Sequence, residues 1–334
     1  MHVLVVGGTR FMGALTVWRL LARGERVTLM TRGLAKDDFG DHVERLVADR
    51  TSDDFAARLA GRRFDAVIDF IAFDGRDVRG VIDALGARAG HYVLVSSGQV
   101  YLVREGVRSA AGHARLATED DYDGPLVPRP DAPTDAAEWD YGMGKRAAED
   151  ALVAAAARFP ATRVRLPMVH GPRCPYRRLE GYLVRMLDGG PVLVPGGGDA
   201  IARHVFAQDV AETLCALLGD TRAFGRAYNV AAAETPTVWE FVGRLAQRLG
   251  APDRRVAIAP ERLRDIPPTA VSPLSGRWMS LLDPARAVAE LGLRHRPLDA
   301  WLDATIAAYL AAPPTLPPEG YIAHRARERH LANG

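Results

Sequence analysis

Short apolar runs alternate with amphipathic stretches through the first half of this chain. Residues 2–6, His-Val-Leu-Val-Val, read as a short buried strand, after which Leu15, Val17, Leu20 and Leu21 recur at helical spacing up to Gly24. Further strands are expected at Arg26–Met30, Glu44–Ala48, Asp65–Phe70 and His91–Val95, with helical patterns between them such as Asp77–Ala89. A helix over 142–158 precedes a sixth strand, Thr162–Leu166. Such alternation predicts an α/β class, a doubly wound parallel sheet with its ligand crevice at the carboxyl ends of the strands. Gly7, Asp49, Ile71, Ser97 and Pro167 fall at or just past those ends.

The stretch Arg104–Trp139 is polar, rich in Asp and Pro, and too long for a neutral connector, so it reads as a loop bordering the site. Thr237–Leu249 reads as a helix with Val238, Phe241, Val242 and Leu245 on one face. The last 22 residues, with Arg325, Arg327, Glu328 and Arg329, read as a solvated helix or tail.

Three motifs carry candidate chemistry. Gly7-Gly8-Thr9-Arg10-Phe11-Met12-Gly13 stands between the first strand and the first helix. In that context Gly7 permits a tight turn close to a pyrophosphate, Gly13 lets helix and strand pack, and the helix N-terminus offers amides to phosphate. Tyr141 and Lys145 are spaced to share a helix face. Lys145 is one of only two lysines, the other being Lys36, in a chain with 43 Lys+Arg. A compact ammonium there is expected to lower a phenol's pKa and make Tyr141 a general acid/base, the alternative being an exposed helical pair. Ser97 ends a strand in Ser96-Ser97-Gly98-Gln99-Val100-Tyr101, where a hydroxyl can bond a substrate oxygen as it gains or loses its proton.

These segments together resemble the extended or atypical branch of the short-chain dehydrogenase/reductase superfamily. The glycine loop is similar to its Gly-x-x-Gly-x-x-Gly pattern, with Arg10 in place of the middle glycine. The Gly-Gly-Thr-Arg-Phe form resembles an epimerase/dehydratase-like subgroup that also contains chloroplast stem-loop RNA-binding proteins. The resemblance implies a Rossmann-type domain over 1–170, with segments returning near 201–230, and a substrate-binding lobe made of 171–200 and 231–334. It also implies catalytic roles for Ser97, Tyr141 and Lys145, and cofactor contacts from Gly7, Thr9, Arg10, Phe11, Met12 and Gly13. Ile71 and Ala72, Lys145, and Pro167 and Val169 are expected to border the same cofactor. Asp49 fits the position that contacts the adenine amino group, or else caps the following helix. Arg165-Leu166-Pro167-Met168-Val169-His170-Gly171-Pro172 resembles the branch's Arg-Pro-x-x-Val-Tyr-Gly-Pro junction, with His170 expected to be a hydrogen-bonded structural histidine. Gln99, Arg173 and Arg203 are expected at the substrate, with Arg177 and Arg178 nearby. The branch's dehydratases carry Asp-Glu after the catalytic hydroxyl, and Gly98-Gln99 here disfavours dehydration by that route.

Composition narrows the classes further. Of 334 residues, 48% are hydrophobic and 25% charged, ordinary values for a globular protein. A net charge of +2 and 7% aromatic content give no reason to expect nucleic acid or an anionic membrane surface. Cys174 and Cys215 have no metal-like spacing, so no metal is expected. A strand beginning at the second residue leaves no room for a signal peptide, and a cytoplasmic homodimer is expected, the dimer by resemblance alone. At the end of the second strand, Thr31-Arg32 replaces the acidic residue that suits NAD. Arg32 with Arg10 therefore favours NADP(H), NAD(H) being the alternative. The resulting expectation is an NADP(H)-preferring enzyme that interconverts a secondary alcohol and a ketone on a small-molecule substrate. A sugar epimerase with a retained cofactor and a non-catalytic RNA-binding protein are the alternatives.

Overall fold

The computed structural model describes residues 1–52, 54–107 and 115–333. Beyond His2, every residue of β1 (His2–Val6) is buried, as a parallel strand covered on both faces requires. The chain continues through α1 (Phe11–Ala22), β2 (Arg26–Thr31), β3 (Val43–Val47), α2 (Asp54–Leu59), β4 (Ala66–Asp69) and α3 (Gly75–Leu85). Next come β5 (Tyr92–Ser97), α4 (Gln99–Leu102), α5 (Pro133–Ala155) and β6 (Ala161–Leu166). These strands and β10 (Ala227–Asn229) form one parallel sheet in the order β10-β6-β5-β4-β1-β2-β3. Alternate residues of β1 face opposite layers. Val3 and Val5 join Val17 and Leu20 of α1 and later helical residues such as Val210, whereas Leu4 and Val6 join Phe55, Val78, Ile82 and Leu152. The fold is thus the expected doubly wound Rossmann type, and its order reverses between β1 and β4.

After β6 the chain forms β7 (Met168–His170), α6 (Arg178–Leu187), β8 (Val192–Pro195), β9 (His204–Phe206) and α7 (Ala207–Leu217). Beyond β10 lie α8 (Val238–Leu249), β11 (Arg255–Ile258), the single turns α9 (Pro260–Leu263) and α10 (Pro268–Val271), α11 (Ala285–Leu291), α12 (Leu298–Ala311) and α13 (Glu319–Ala332). Two parallel pairs, β7 with β9 and β8 with β11, belong to this part. Its core unites Leu179, Leu183 and Met186 with the expected α8 face of Val238, Phe241, Val242 and Leu245, and with Trp301.

Strand ends fall within a residue or two of those expected, and three segments differ by more. The helix expected at 77–89 is shifted, because Asp74 accepts from the Asp77 N–H at 3.0 Å while the Asp77 carboxylate accepts from Asp74, a reciprocal cap. The polar stretch before Trp139 is not all loop. α5 starts at Pro133, and its buried Asp135 is held by Arg277 and by Trp278 Nε1 at 2.6 Å; residues 108–114 of that stretch lie outside the described residues. The C-terminal segment is not merely solvated. Arg325 and Glu328 of α13 are buried, and Glu328 pairs with Arg185 of α6 at 2.5 and 2.8 Å. Arg325 also bonds Asp188 at 2.6 Å, so α13 braces α6.

Removing one partner of a buried, bidentate pair leaves the other charge desolvated. Glu328→Ala should therefore destabilise the protein by about 3–5 kcal/mol in urea unfolding. A loss below about 1 kcal/mol, the range of exposed pairs, would show that α13 does not brace the fold. A second expectation concerns acid. His91 is fully buried, its Nδ1 accepts from the Gly219 N–H at 3.2 Å, and its Nε2 bonds Thr162 Oγ1 at 2.9 Å, a pattern that needs a neutral ring. Burial pushes His91 and His204 down to about 4. A depressed folded pKa means the unfolded chain binds protons first, so stability present above pH 6.5 is lost on acidification, by roughly 2 kcal/mol for each histidine at pH 5. The urea midpoint should fall between pH 7 and pH 5, and His91→Gln should flatten part of that slope. Equal midpoints at the two pH values would contradict the account.

Candidate active site

The glycine loop leaves β1 at the point where the sheet order reverses. Gly7 has a φ of 82°, and a Cβ there would lie 2.9 Å from Ile71 Cγ2. At Gly13 a Cβ would come 2.6 Å from Gly8 Cα, so the first turn of α1 lies against the loop. Phe11 adopts a φ of 49°, unusual for a bulky side chain and a mark of local strain. α1 has no side-chain cap and no acidic residue in its first turn, which leaves its amides and positive end available to an anion. Beside the loop, a cavity of about 450 Å³ is bordered by Met30, Thr31, Arg32, Asp49, Ile71 and Phe73. Its floor is fixed by a network that sequence reasoning missed. Arg50 pairs with Asp69 through two 3.0 Å contacts, and Asp69 also accepts from Tyr92 at 2.8 Å and from the Ile71 N–H at 3.0 Å. Asp49 Oδ1 accepts from Thr51 N and Oγ1, which holds its carboxyl below the usual range with a smaller contribution from Arg32. A glycine cradle, an uncapped helix end and an adjoining, mostly apolar cavity fit a dinucleotide, which Gly7, Thr9, Arg10, Phe11, Met12 and Gly13 could hold by its phosphates and Asp49 and Ile71 by its adenosine.

At the end of β5, Ser97 Oγ accepts from the Gln99 N–H at 3.2 Å and lies near enough to the Tyr141 phenol to favour its ionised form. The sequence grouped Ser97, Tyr141 and Lys145, and the structure brings the three side by side. Tyr141 is 37% exposed as a residue, yet burial of its hydroxyl end pushes the phenol up to about 12, opposed by Ser97 and assisted by Tyr176 and Glu138. Lys145 is buried beneath it, donating to the carbonyls of Ala72 at 2.7 Å and Val95 at 3.0 Å. Its ammonium stands 5.0 Å from the Phe73 ring centroid and 5.9 Å from that of Tyr141. Burial brings Lys145 down to about 8, against the pull of Asp69 and Glu149. The Tyr141 phenol is raised rather than lowered as expected, because loss of water is the larger effect and Lys145, at about 8, gives up its proton before the phenol does. Two glycines inside the motif have a packing reason that spacing alone did not show. A Cβ at Gly142 would lie 2.8 Å from the Gln99 carbonyl oxygen, and one at Gly144 would lie 2.6 Å from that of Phe73.

The expected substrate contacts fare unevenly. Gln99 is buried beside Ser97. Arg203 is 1% exposed; its two terminal nitrogens donate to the backbone carbonyls of Leu282 and Glu234, and its Nε has no partner among the described residues. Arg173 is exposed at a φ of 60° and lies 3.9 Å from Asp38, turned toward the loop after β2. Arg177 is paired with Glu180 at 2.5 Å, while Arg178 stacks over Tyr176 at 4.3 Å. Pro167 is buried and Val169 half-buried past the end of β6. His170 is structural but not through hydrogen bonds. It stacks on Trp301 with 5.9 Å between centroids, and neither ring nitrogen has a partner among the described residues. No group of three or more His, Cys, Asp or Glu among the described residues is arranged to hold a metal ion. None of the described helices is long and apolar enough to cross a membrane.

Residues 3–231 match the model of the NAD dependent epimerase/dehydratase family. The chain belongs to that family. UDP-glucose 4-epimerase of Thermotoga maritima, solved with UDP-glucose, is similar over 93% of this chain and 99% of its own, with a TM-score of 0.72 and 18% identity. DesIV, a dTDP-glucose 4,6-dehydratase of Streptomyces venezuelae solved with NAD, is similar over 93% and 98%, with a TM-score of 0.69 and 20% identity. At these identities the likeness is one of fold. A curated relative, chloroplast stem-loop binding protein of 41 kDa b of Arabidopsis thaliana, is 25% identical over 268 residues, 76% of this chain. The chain spans 65% of that relative's length.

The expectation of NADP(H) does not stand. The family is described by NAD, and several solved proteins of similar fold hold NAD. Physically, Arg32 shares its cavity with the Asp49 carboxylate, on which its charge already acts, so the end of the cavity that would meet a 2′-phosphate also carries an anion.

With only two lysines in the chain, labelling lysine ε-carbons with ¹³C should give two resonances, one removed by Lys145→Arg. The Lys145 signal should titrate with a midpoint near pH 8 in the ligand-free protein. A signal unchanged up to pH 9.5 would show that burial does not govern this ammonium.

Proposed function

We propose that this chain is an NAD-dependent oxidoreductase that interconverts a secondary alcohol and a ketone on a nucleotide-linked sugar. The observation that carries the reading is the placement of Tyr141 over buried Lys145, 5.9 Å from ammonium to ring centroid, with Ser97 close by and with Phe73 of the glycine-loop cavity packed 6.5 Å from the Tyr141 ring. Bound NAD supplies a hydride acceptor there. Ser97 holds the substrate oxygen, and Tyr141 takes or returns its proton. With its phenol near 12, Tyr141 rests as an acid, so acting as a base requires stabilisation of the phenolate. Lys145 is the cation placed to give it, on the same helix face and already partly desolvated. The sugar-nucleotide class is suggested by the family's description and by what solved proteins of similar fold bind. Because the case for NADPH as a consumed reductant has gone, an epimerase that returns the hydride to the same carbon is favoured over a net reductase.

A second reading, RNA binding on this scaffold, is favoured by one observation: the stem-loop binding relative shares 25% identity, more than the solved structures named above. Mobility shift of an RNA hairpin by the purified protein, without response to NAD or any nucleotide sugar, would support it over the enzyme.

The enzyme is tested by incubating the protein and NAD with UDP-glucose and dTDP-glucose and following products by mass spectrometry and NMR. Inversion of one stereocentre is expected, with no net change in nicotinamide. Tyr141→Phe should keep fold and NAD binding but lose turnover by about a hundredfold or more. Activity within a few-fold of the parent would remove Tyr141 from the chemistry.

A further inference from the structure

Gln99 follows Ser97 by two residues and is 7% exposed. Its side chain turns to α5, where Nε2 donates to Oε2 of Glu138. A carboxylate accepts hydrogen bonds and an amide offers one donor end and one acceptor end, so this contact decides which end of the amide faces α5. The reverse orientation would set the amide oxygen against the carboxylate. Gln99 Oε1 is left as the other end, buried and with no partner among the described residues. The backbone that carries this side chain lies directly against α5, where a Cβ at Gly142 would come 2.8 Å from the Gln99 main-chain carbonyl oxygen. Glu138 stands one helical turn before Tyr141, and its charge acts on the Tyr141 phenol. Ser97, Gln99, Glu138 and Tyr141 therefore form one contiguous cluster.

We propose that Glu138 is a positioning residue that locks the Gln99 amide with its oxygen as the free acceptor, and that this oxygen selects substrates carrying a hydroxyl next to the carbon that is oxidised. The inference rests on the sugar-nucleotide reading above and adds the basis of selection. In a pyranose, a ring carbon bearing a secondary hydroxyl has hydroxylated neighbours, whereas a simple ketone leaves the amide oxygen buried and unpaired. A site built to bond a substrate hydroxyl rejects the analogue lacking it far more strongly than an apolar pocket rejects an added one.

The test uses the full-length protein saturated with NAD, and UDP-glucose beside its four monodeoxy analogues at C2, C3, C4 and C6, with binding measured by calorimetry. In the parent, one analogue should bind about a hundredfold more weakly. Gln99→Leu should reduce that penalty to within about threefold of UDP-glucose while the penalties at other positions persist, and Glu138→Ala should reduce it partly. A penalty unchanged in both variants, with melting temperatures near the parent's, overturns the selection. If the parent binds none of the five, the sugar-nucleotide reading fails and the selection fails with it. The lock has its own readout without substrate, the exchange of the Gln99 side-chain amide protons in the ligand-free protein. Exchange should be slow in the parent and fast in Glu138→Ala. Equal rates would overturn the lock whatever the substrate.

Discussion

Much of the site depends on one buried ion pair. Glu149 of α5 and Arg165 of β6 are both essentially inaccessible and meet through contacts of 2.6 to 3.1 Å. The same carboxylate accepts from Ser96 Oγ at 2.6 Å, the residue beside Ser97. Arg165 also donates to the Tyr101 hydroxyl at 2.5 Å, which in turn donates to Asn229 of β10 at 2.9 Å. One carboxylate thus ties the helix that carries Tyr141 and Lys145 to the strand end that carries Ser97. Because neither charge can be left alone in the interior, α5 can neither slide nor turn against the sheet. Gly142 and Gly144 supply the steric half of the constraint by allowing α5 to press on the backbones of Gln99 and Phe73.

Fixing α5 in this way places Lys145 where two carbonyls already hold it. Its ammonium is less basic than usual and the phenol above it is less acidic than usual, both from loss of water. The free protein is therefore poised with a protonated tyrosine, and a ligand that fills the crevice changes the balance by changing what surrounds both groups. Spanning the switch point, the Asp69 network with Tyr92 of β5 and with Arg50 from just past the end of β3 plays the matching role for the cavity beside the glycine loop. It fixes the backbone at Ile71, against which Gly7 closes. The brace from α13 to α6 extends the same logic to the second lobe, since α6 begins where the loop bearing Tyr176 and Arg177 ends.

The α/β alternation, the glycine loop and the Tyr141–Lys145 spacing were legible because each is local: apolar periodicity, a turn that needs glycine, and two side chains on one helix face. Asp74 and Pro133 show why boundaries were harder to read. Capping by Asp74 moved one helix start, and α5 begins inside a polar stretch whose Asp135 is buried only because Arg277 and Trp278 come from far along the chain. The tail was misread for a related reason, since Arg325 and Glu328 look like solvent-facing charges until Arg185 and Asp188 are placed beside them.

By itself the sequence determined which residue types meet at the strand ends, because hydrophobic period and turn chemistry act over a few residues. Tertiary structure alone decided what those residues can do. Arg203, by type a fit ligand for an anion, is enclosed and bonded to carbonyls, and Arg32, by type a fit partner for a 2′-phosphate, shares its cavity with the Asp49 carboxylate. Glu138, silent in any motif, touches Gln99 beside the Ser97–Tyr141 pair. Charge and hydrogen-bonding capacity are written in the side chain, but whether they are free for a ligand depends on burial and on partners distant along the chain, which only the folded arrangement supplies.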